Sequence, residues 1–406
     1  MKRTCVLAVL AMGACGMQAA DWTQWRGSNR DLIVTETGLL KAWPEGGPKK
    51  LWQTELPGDG YSEPIVVDGK VLVTGNTGDK QNRAGNLYVL DAKTGKLSGQ
   101  VKYAPEWAAS YECARTSPTV SDGKVYMVSG LGHVVCASLK NGDIVWKVDA
   151  HAEYGGRNIT WGIADNPLVY DGKVICQPGG KDTGVMALDA ATGKPVWKSE
   201  GLGEKSAYCS PALITLNGKR QLVTLLEDHV VGLNPETGAV IWKHPHRNKY
   251  AVHPNTPVLC GENKIFISSG YGLGSELLEI AGNEAKCVWK DKGSDNHFQG
   301  IAFYKGRVFS SGGGKLSCFD PKDGREVYTV EGAKKTSFCI TPVGMITYDE
   351  NGGTVMLVDV GPDSAKVISK FKVDYGEGPH WSSPVVANGV LYLRHGAVIA
   401  AFDIKE

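Results

Sequence analysis

Three residues before a proline that opens an apolar run, this chain repeatedly places a side chain able to stack, donate or carry charge. Tyr61 stands before Pro64, Arg115 before Pro118, Tyr208 before Pro211 and Trp381 before Pro384. His297 holds the same place ahead of Gly300, and Asn158, Trp161, Asp165 and Asn166 crowd the approach to Pro167. His253, Phe338 and His380 lie close to further copies. If these positions converge, an aromatic-rich ring with one Arg and two or three His suits a planar or anionic ligand. Trp161 or Trp381 would stack on it and Arg115 would meet its charge. The competing expectation is that the same side chains simply plug and rim a channel.

What must position them is a repeat. In Ala187 to Trp197, Asp189 can hold a tight turn through its side chain, and Gly193 supplies the positive φ that the turn or its bulge needs. A large aromatic follows four residues after the glycine at Gly142 to Trp146, Gly193 to Trp197, Gly238 to Trp242 and Gly324 to Tyr328, with a looser copy ending at Trp289. A second signature is a Pro, an apolar run, an Asp-Gly or Asn-Gly turn and another apolar run, clearest in Pro64 to Val71, Pro118 to Val125, Pro167 to Val174 and Pro384 to Val390. Eight such units recur about every 46 residues, within the range of propeller blades. Each reads as four short strands, so the expected fold is all-β: an eight-bladed propeller of four-stranded antiparallel blades forming one domain over residues 21–406. The last unit has only three strands before Ile404, and Lys50 to Thr54 carries the Trp and flanks of the missing one. The N-terminal strand is therefore expected to close the ring.

The 44 Lys and Arg balance 43 Asp and Glu without a basic stripe, which argues against nucleic acid. No apolar run of membrane-spanning length occurs after residue 20. Residues 1–20 read as a Sec signal peptide, and plain secretion is favoured over a lipoprotein cut before Cys15. The eight later cysteines are scattered without CxxC or zinc spacing and read as buried free thiols. His244, His246 and His253 cluster in sequence, yet Pro245 between the first two argues against a metal geometry. No GxSxG elbow suggests a serine hydrolase.

The pattern Ala-x-Asp-x-x-Thr-Gly-x-x-x-Trp of Ala187 to Trp197, nearly matched by Gly232 to Trp242, resembles the tryptophan-docking motif of the pyrroloquinoline quinone (PQQ) propeller superfamily. The resemblance covers essentially the whole mature chain and implies that each motif Trp docks on the neighbouring blade. Two units depart, with Gly99 in place of Trp in the first and Asp359 to Lys366 in the seventh, so those interfaces need another filler. The superfamily divides into quinoprotein dehydrogenases, which hold PQQ and calcium, and cofactor-free BamB-like scaffolds. Asp21 to Gly27 and Asn158 to Ala164 resemble secreted bacterial propellers. For a dehydrogenase, Asp165 would be the best-placed base, with Glu63, Glu112 and Glu377 as further carboxylates. The adjacent-cysteine disulfide and a haem-attachment CxxCH are both missing. The sequence therefore points to a binding scaffold that needs no cofactor and takes an envelope protein or a small planar or anionic ligand. Its expected ligand residues are Trp161, Arg115, Trp381, Tyr61, Tyr208, His297 and Asn158. The alternative is a PQQ- and calcium-dependent dehydrogenase oxidising an alcohol or sugar.

Overall fold

Turn chemistry sets the strands. Asp189 Oδ1 accepts from the amides of Ala191 and Thr192 and from the Thr192 hydroxyl, while Gly193 sits at φ 73°. The same local bonds close the Asp91 turn. These turns return each chain segment beside itself, and the computed structural model, which describes residues 21–298 and 300–406, contains eight four-stranded antiparallel sheets. The single short helix among the described residues is Ala150–Tyr154, capped by Asp149. No helix among the described residues is long and apolar enough to cross a membrane. The signal peptide expectation, with its lipidation alternative at Cys15, lies outside the described residues.

Numbering blades from the first complete unit, blade 1 runs from Ile65–Val67 to Leu97–Pro105 and blade 8 holds Val385–Ala387, Val390–His395 and Val398–Asp403. The strand Lys49–Glu55 completes blade 8, pairing antiparallel with Val398–Asp403. The ring is thus closed by main-chain hydrogen bonds between segments far apart in sequence, leaving no long open edge at the seam.

The aromatic repeat works between blades. Trp52, Trp146, Trp197 and Trp289 each donate an indole N–H to a carbonyl in the next blade's turn, at Ala92, Ala190, Pro235 and Pro321. Each ring also lies where a Cβ on Gly95, Gly193, Gly238 or Gly324 would sit. Tyr328 makes the equivalent bond to Gly361. Trp242 differs: its N–H goes to Gln221 in its own sheet, over Gly232. Its neighbour's turn is Ala-Gly-Asn, without the Asp-x-x-Thr-Gly platform. At the two departing interfaces the fillers are visible. Val101 occupies the space above Gly142, and Trp43 from the N-terminal segment packs edge-on against Phe371 of blade 7.

All eight cysteines of the described residues are free, and only Cys287 is not fully buried.

Candidate functional site

The blade-to-blade crossings meet at one mouth. Tyr61 comes from the crossing into blade 1, Arg115 into blade 2, Trp161 into blade 3 and Tyr208 into blade 4. Val252 and Pro254 come from the crossing into blade 5, His297 and Phe298 into blade 6, Lys335 into blade 7 and Trp381 into blade 8. Together they line a cavity of about 320 Å³.

The cavity is blind, because the segment Trp22 to Val34 lies across the channel beneath it. Trp22 pairs with Val66 of blade 1, Thr23 accepts from Val120 of blade 2, and Val34 bonds to Ile340 of blade 7. Arg26 and Arg30 are buried in this plug. Arg26 donates to the carbonyls of Arg30 and Ile301, and Arg30 donates to those of Pro167 and Pro211 and to Gln24. Burial pulls both guanidinium groups down, to about 10 and about 9. They stay charged at neutral pH, and their hydrogen bonds to strand-end carbonyls tie several blades together at the axis. Trp25, beside Arg26, forms part of the floor.

Above the floor the side walls are rings. Trp381 contacts Tyr111 at 5.7 Å between centroids, Tyr111 contacts Trp161 at 6.2 Å and Trp161 contacts Tyr271 at 6.5 Å. Tyr271 meets His297 at 4.5 Å, and Phe298, next in sequence, returns to Trp381 at 5.6 Å. The circuit closes around the mouth. Tyr111, Tyr208 and Tyr271 all hold positive φ, at 52°, 71° and 61°. Such backbone is unfavourable for non-glycine residues, by roughly 1–3 kcal/mol each, and it gathers where side chains must be aimed.

Two polar groups stand out. Arg115 Nε and Nη2 are shielded from solvent and have no hydrogen-bond partner, and burial lowers the guanidinium's pKa. Glu63, at the floor, accepts from the Trp22 indole and the Arg26 amide through Oε1. Burial pushes its pKa up to about 7, outweighing the hydrogen bonds from Trp22 and Arg26 and the Arg26 charge. A carboxyl raised from about 4.5 in the unfolded chain favours the fold in its protonated form, so its contribution declines as pH rises from 4.5 through 7. Glu63→Gln removes that loss. The melting temperature of the variant relative to the parent is expected to be higher at pH 8 than at pH 5, by an amount on the order of 3 kcal/mol in stability. An equal difference at both pH values would show that Glu63 is ionised throughout.

Of the residues expected from sequence, Tyr61, Arg115, Trp161, Tyr208, His297 and Trp381 all line the cavity. Asn158 does not: its amide donates to the Gly130 carbonyl and caps the Ile159 N–H, positioning the loop that carries Trp161. Asp165 lies behind the wall, where Gln177 and Ser206 donate to its carboxylate. Its neighbour Asn166 reaches the cavity instead. Tyr111, Tyr271, Trp25, Lys335 and Glu350 were not among the expected residues. Tyr271 and Glu350 sit in hairpin turns within blades, away from the proline offset that marks the crossings.

His244 and His246 do converge, despite Pro245, on the two oxygens of Glu276 at 2.9 and 3.0 Å. His246 and His253 then share the Ser269 hydroxyl, each at 2.9 Å. His253 is fully buried and is pulled down to about 3 by that burial, whereas the hydrogen bonds from His244 and His246 outweigh burial and hold the Glu276 carboxyl well below its ordinary value, so the cluster is a hydrogen-bonded strut built on an ionised carboxylate behind the blade 5 wall. Among the described residues no group of three or more His, Cys, Asp or Glu could hold a metal ion.

Against known proteins, residues 83–327 match the PQQ_2 family model, described as outer membrane protein assembly factor BamB. The chain belongs to that family. PQQ_2 relatives among characterised proteins fall on two sides. Quinohemoprotein alcohol dehydrogenase ADH-IIG of Pseudomonas putida is 34% identical over 145 residues, 33% of this chain and 18% of that protein. Outer membrane protein assembly factor BamB of Yersinia pestis is 26% identical over 204 residues, 48% of this chain and 47% of that one. The matched stretches thus span about half or less of these relatives' own lengths. The fold is similar to BamB from Moraxella catarrhalis, with a TM-score of 0.61 at 13% identity, covering 88% of this chain and 98% of that one. It is also similar to quinohemoprotein alcohol dehydrogenase from Comamonas testosteroni, with a TM-score of 0.68 at 12% identity, covering 95% and 80%. At such identities the likeness concerns the fold.

Proposed function

We propose that this PQQ_2-family propeller is a secreted or periplasmic binding protein that captures an envelope protein segment or a small planar or anionic ligand in its funnel, and that it is not a catalyst. The observation that carries the reading is the funnel itself: every blade crossing contributes to one blind aromatic cup, and a guanidinium lining it has two buried donors without partners.

The dehydrogenase alternative draws on the relatives named as quinohemoprotein alcohol dehydrogenases and asks the funnel for PQQ with calcium. Calcium takes about six to eight oxygen ligands, usually several carboxylates. The residues here do not fit it. Glu63 Oε1 is taken by Trp22 and Arg26, leaving the single oxygen Oε2 for a cation. Asn166 Oδ1 accepts from the Ser117 amide, and Asp165 is engaged behind the wall. No step through a quinone is therefore derived.

The discriminating experiment adds PQQ and Ca²⁺ to the purified mature protein and follows the bound-quinone absorbance together with dye-linked alcohol oxidation. Neither signal is expected above the level of a denatured control. A stoichiometric quinone spectrum with turnover would replace this reading by the dehydrogenase.

A further inference from the structure

The unpartnered polar atoms narrow the chemistry of what the funnel takes; this step rests on reading the funnel as a binding cavity. Among the described residues that line it, three buried side-chain atoms lack a partner in hydrogen-bonding geometry: Arg115 Nε, Arg115 Nη2 and Glu63 Oε2, with Ser383 lying alongside the last. We infer that the funnel binds a small hydroxyaryl carboxylate, with the acid group on Arg115, the ring inside the aromatic circuit and the hydroxyl donating to Glu63.

Each part of that ligand answers a different observation. Nε and Nη2 are adjacent donors on one side of a planar guanidinium, the fork that matches the two oxygens of a carboxylate. A neutral ligand would leave that buried charge unpaired, which is costly. Inorganic phosphate is disfavoured because the walls around Arg115 are rings, and the other cation of the cavity, Lys335, is already within 3.9 Å of Glu350. The circuit Trp381, Tyr111, Trp161, Tyr271, His297 and Phe298 offers ring faces and edges on all sides, which favour a flat apolar body in edge-to-face or offset contact. Glu63 Oε2 supplies an acceptor at the floor, away from the mouth, so a ligand that also donates a hydrogen bond satisfies both ends of the cavity. The volume of about 320 Å³ lies at the small end of ligand pockets, enough for one or two rings and too little for a folded partner.

The test is isothermal titration of the mature protein with 4-hydroxybenzoate and 4-hydroxycinnamate. The comparison compounds are the methyl ester and the 4-methoxy acid of the same skeleton, glucuronate and inorganic phosphate. The two hydroxy acids are expected to bind best. Esterification, or Arg115→Gln in the protein, should weaken binding about 10- to 100-fold, the effect of a lost charge-assisted hydrogen bond. Methylating the hydroxyl should weaken the parent while leaving Glu63→Gln nearly indifferent to the change. Both variants are to be matched to the parent in circular dichroism, and Arg115→Gln also in melting temperature, and Arg115→Lys, which keeps the charge without the fork, should recover only part of the affinity. Glucuronate or phosphate binding as tightly as the hydroxy acids would overturn the ligand class while leaving the funnel as a binding site. Absence of binding by every probe would also overturn this inference. The broader reading falls only if funnel substitutions leave the protein's capture of envelope components unchanged.

Discussion

Trp197→Ala is expected to lower stability by about 3–5 kcal/mol, the cost of emptying a buried aromatic site that the surroundings cannot refill. The indole is only 8% exposed, lies against Gly238 of the next blade and donates to the Pro235 carbonyl at 2.9 Å. Its removal therefore opens a void between two sheets and leaves the Pro235 carbonyl with the Tyr170 hydroxyl as its remaining donor. For a domain of this size the melting temperature should fall by roughly 5 °C. The next-door Val196→Ala, at a side chain 47% exposed, should change it by less than about 1 °C. A coupling test is sharper still. Gly238 sits at φ 73°, and a Cβ there would lie 2.3 Å from the Trp197 ring. Gly238→Ala is thus costly in the parent and less so in Trp197→Ala, because the clash is gone while the backbone strain remains. Strictly additive effects would show that the ring does not dock on that turn.

The blades were legible in the sequence because their instructions are local. An Asp that caps its own turn, a Gly at positive φ and an aromatic four residues later act within a dozen residues, whatever the rest of the chain does. Closure was legible for a similar reason: Trp52 carries the flanks of an outer strand, and blade 8 lacks one. The funnel was legible in part, since a fixed offset from a strand-opening Pro becomes a fixed height on the channel wall. That offset found Tyr61, Arg115, Tyr208, His297 and Trp381. It could not find Tyr271 or Glu350, which enter from hairpins inside blades 5 and 7.

The plug was illegible for a different reason. Arg26 and Arg30 are of a residue type usually found in solvent, and most of the carbonyls they meet lie outside their own segment. Those acceptors, at Ile301, Pro167 and Pro211, come together only once blades 3, 4 and 6 are in place. Asp165 and Asn166 show the limit of adjacency. Neighbours on an extended segment face opposite ways, so one turns to Gln177 and Ser206 while the other reaches the cavity. The motif Trp of blade 4 is a reminder that a docking residue needs its platform: without the Asp-x-x-Thr-Gly turn opposite, Trp242 bonds inside its own sheet.

The second large effect concerns binding. Trp161, Arg115 and Trp381 stand at the centre of the concave face, where large aromatics and Arg usually dominate capture. None is a keystone of the fold: all three are only partly buried, Arg115 Nε and Nη2 bond to nothing, and the Trp381 indole donates to Glu350 at the rim. The triple variant Trp161→Ala, Arg115→Ala, Trp381→Ala should therefore melt within a few degrees of the parent. The decisive measurement immobilises parent and triple variant at equal density, passes an envelope extract over both and quantifies retained proteins and small molecules by mass spectrometry. The funnel account predicts that what the parent retains specifically drops to background on the variant. Equal retention by both proteins would contradict it and would move the working surface to the blade edges.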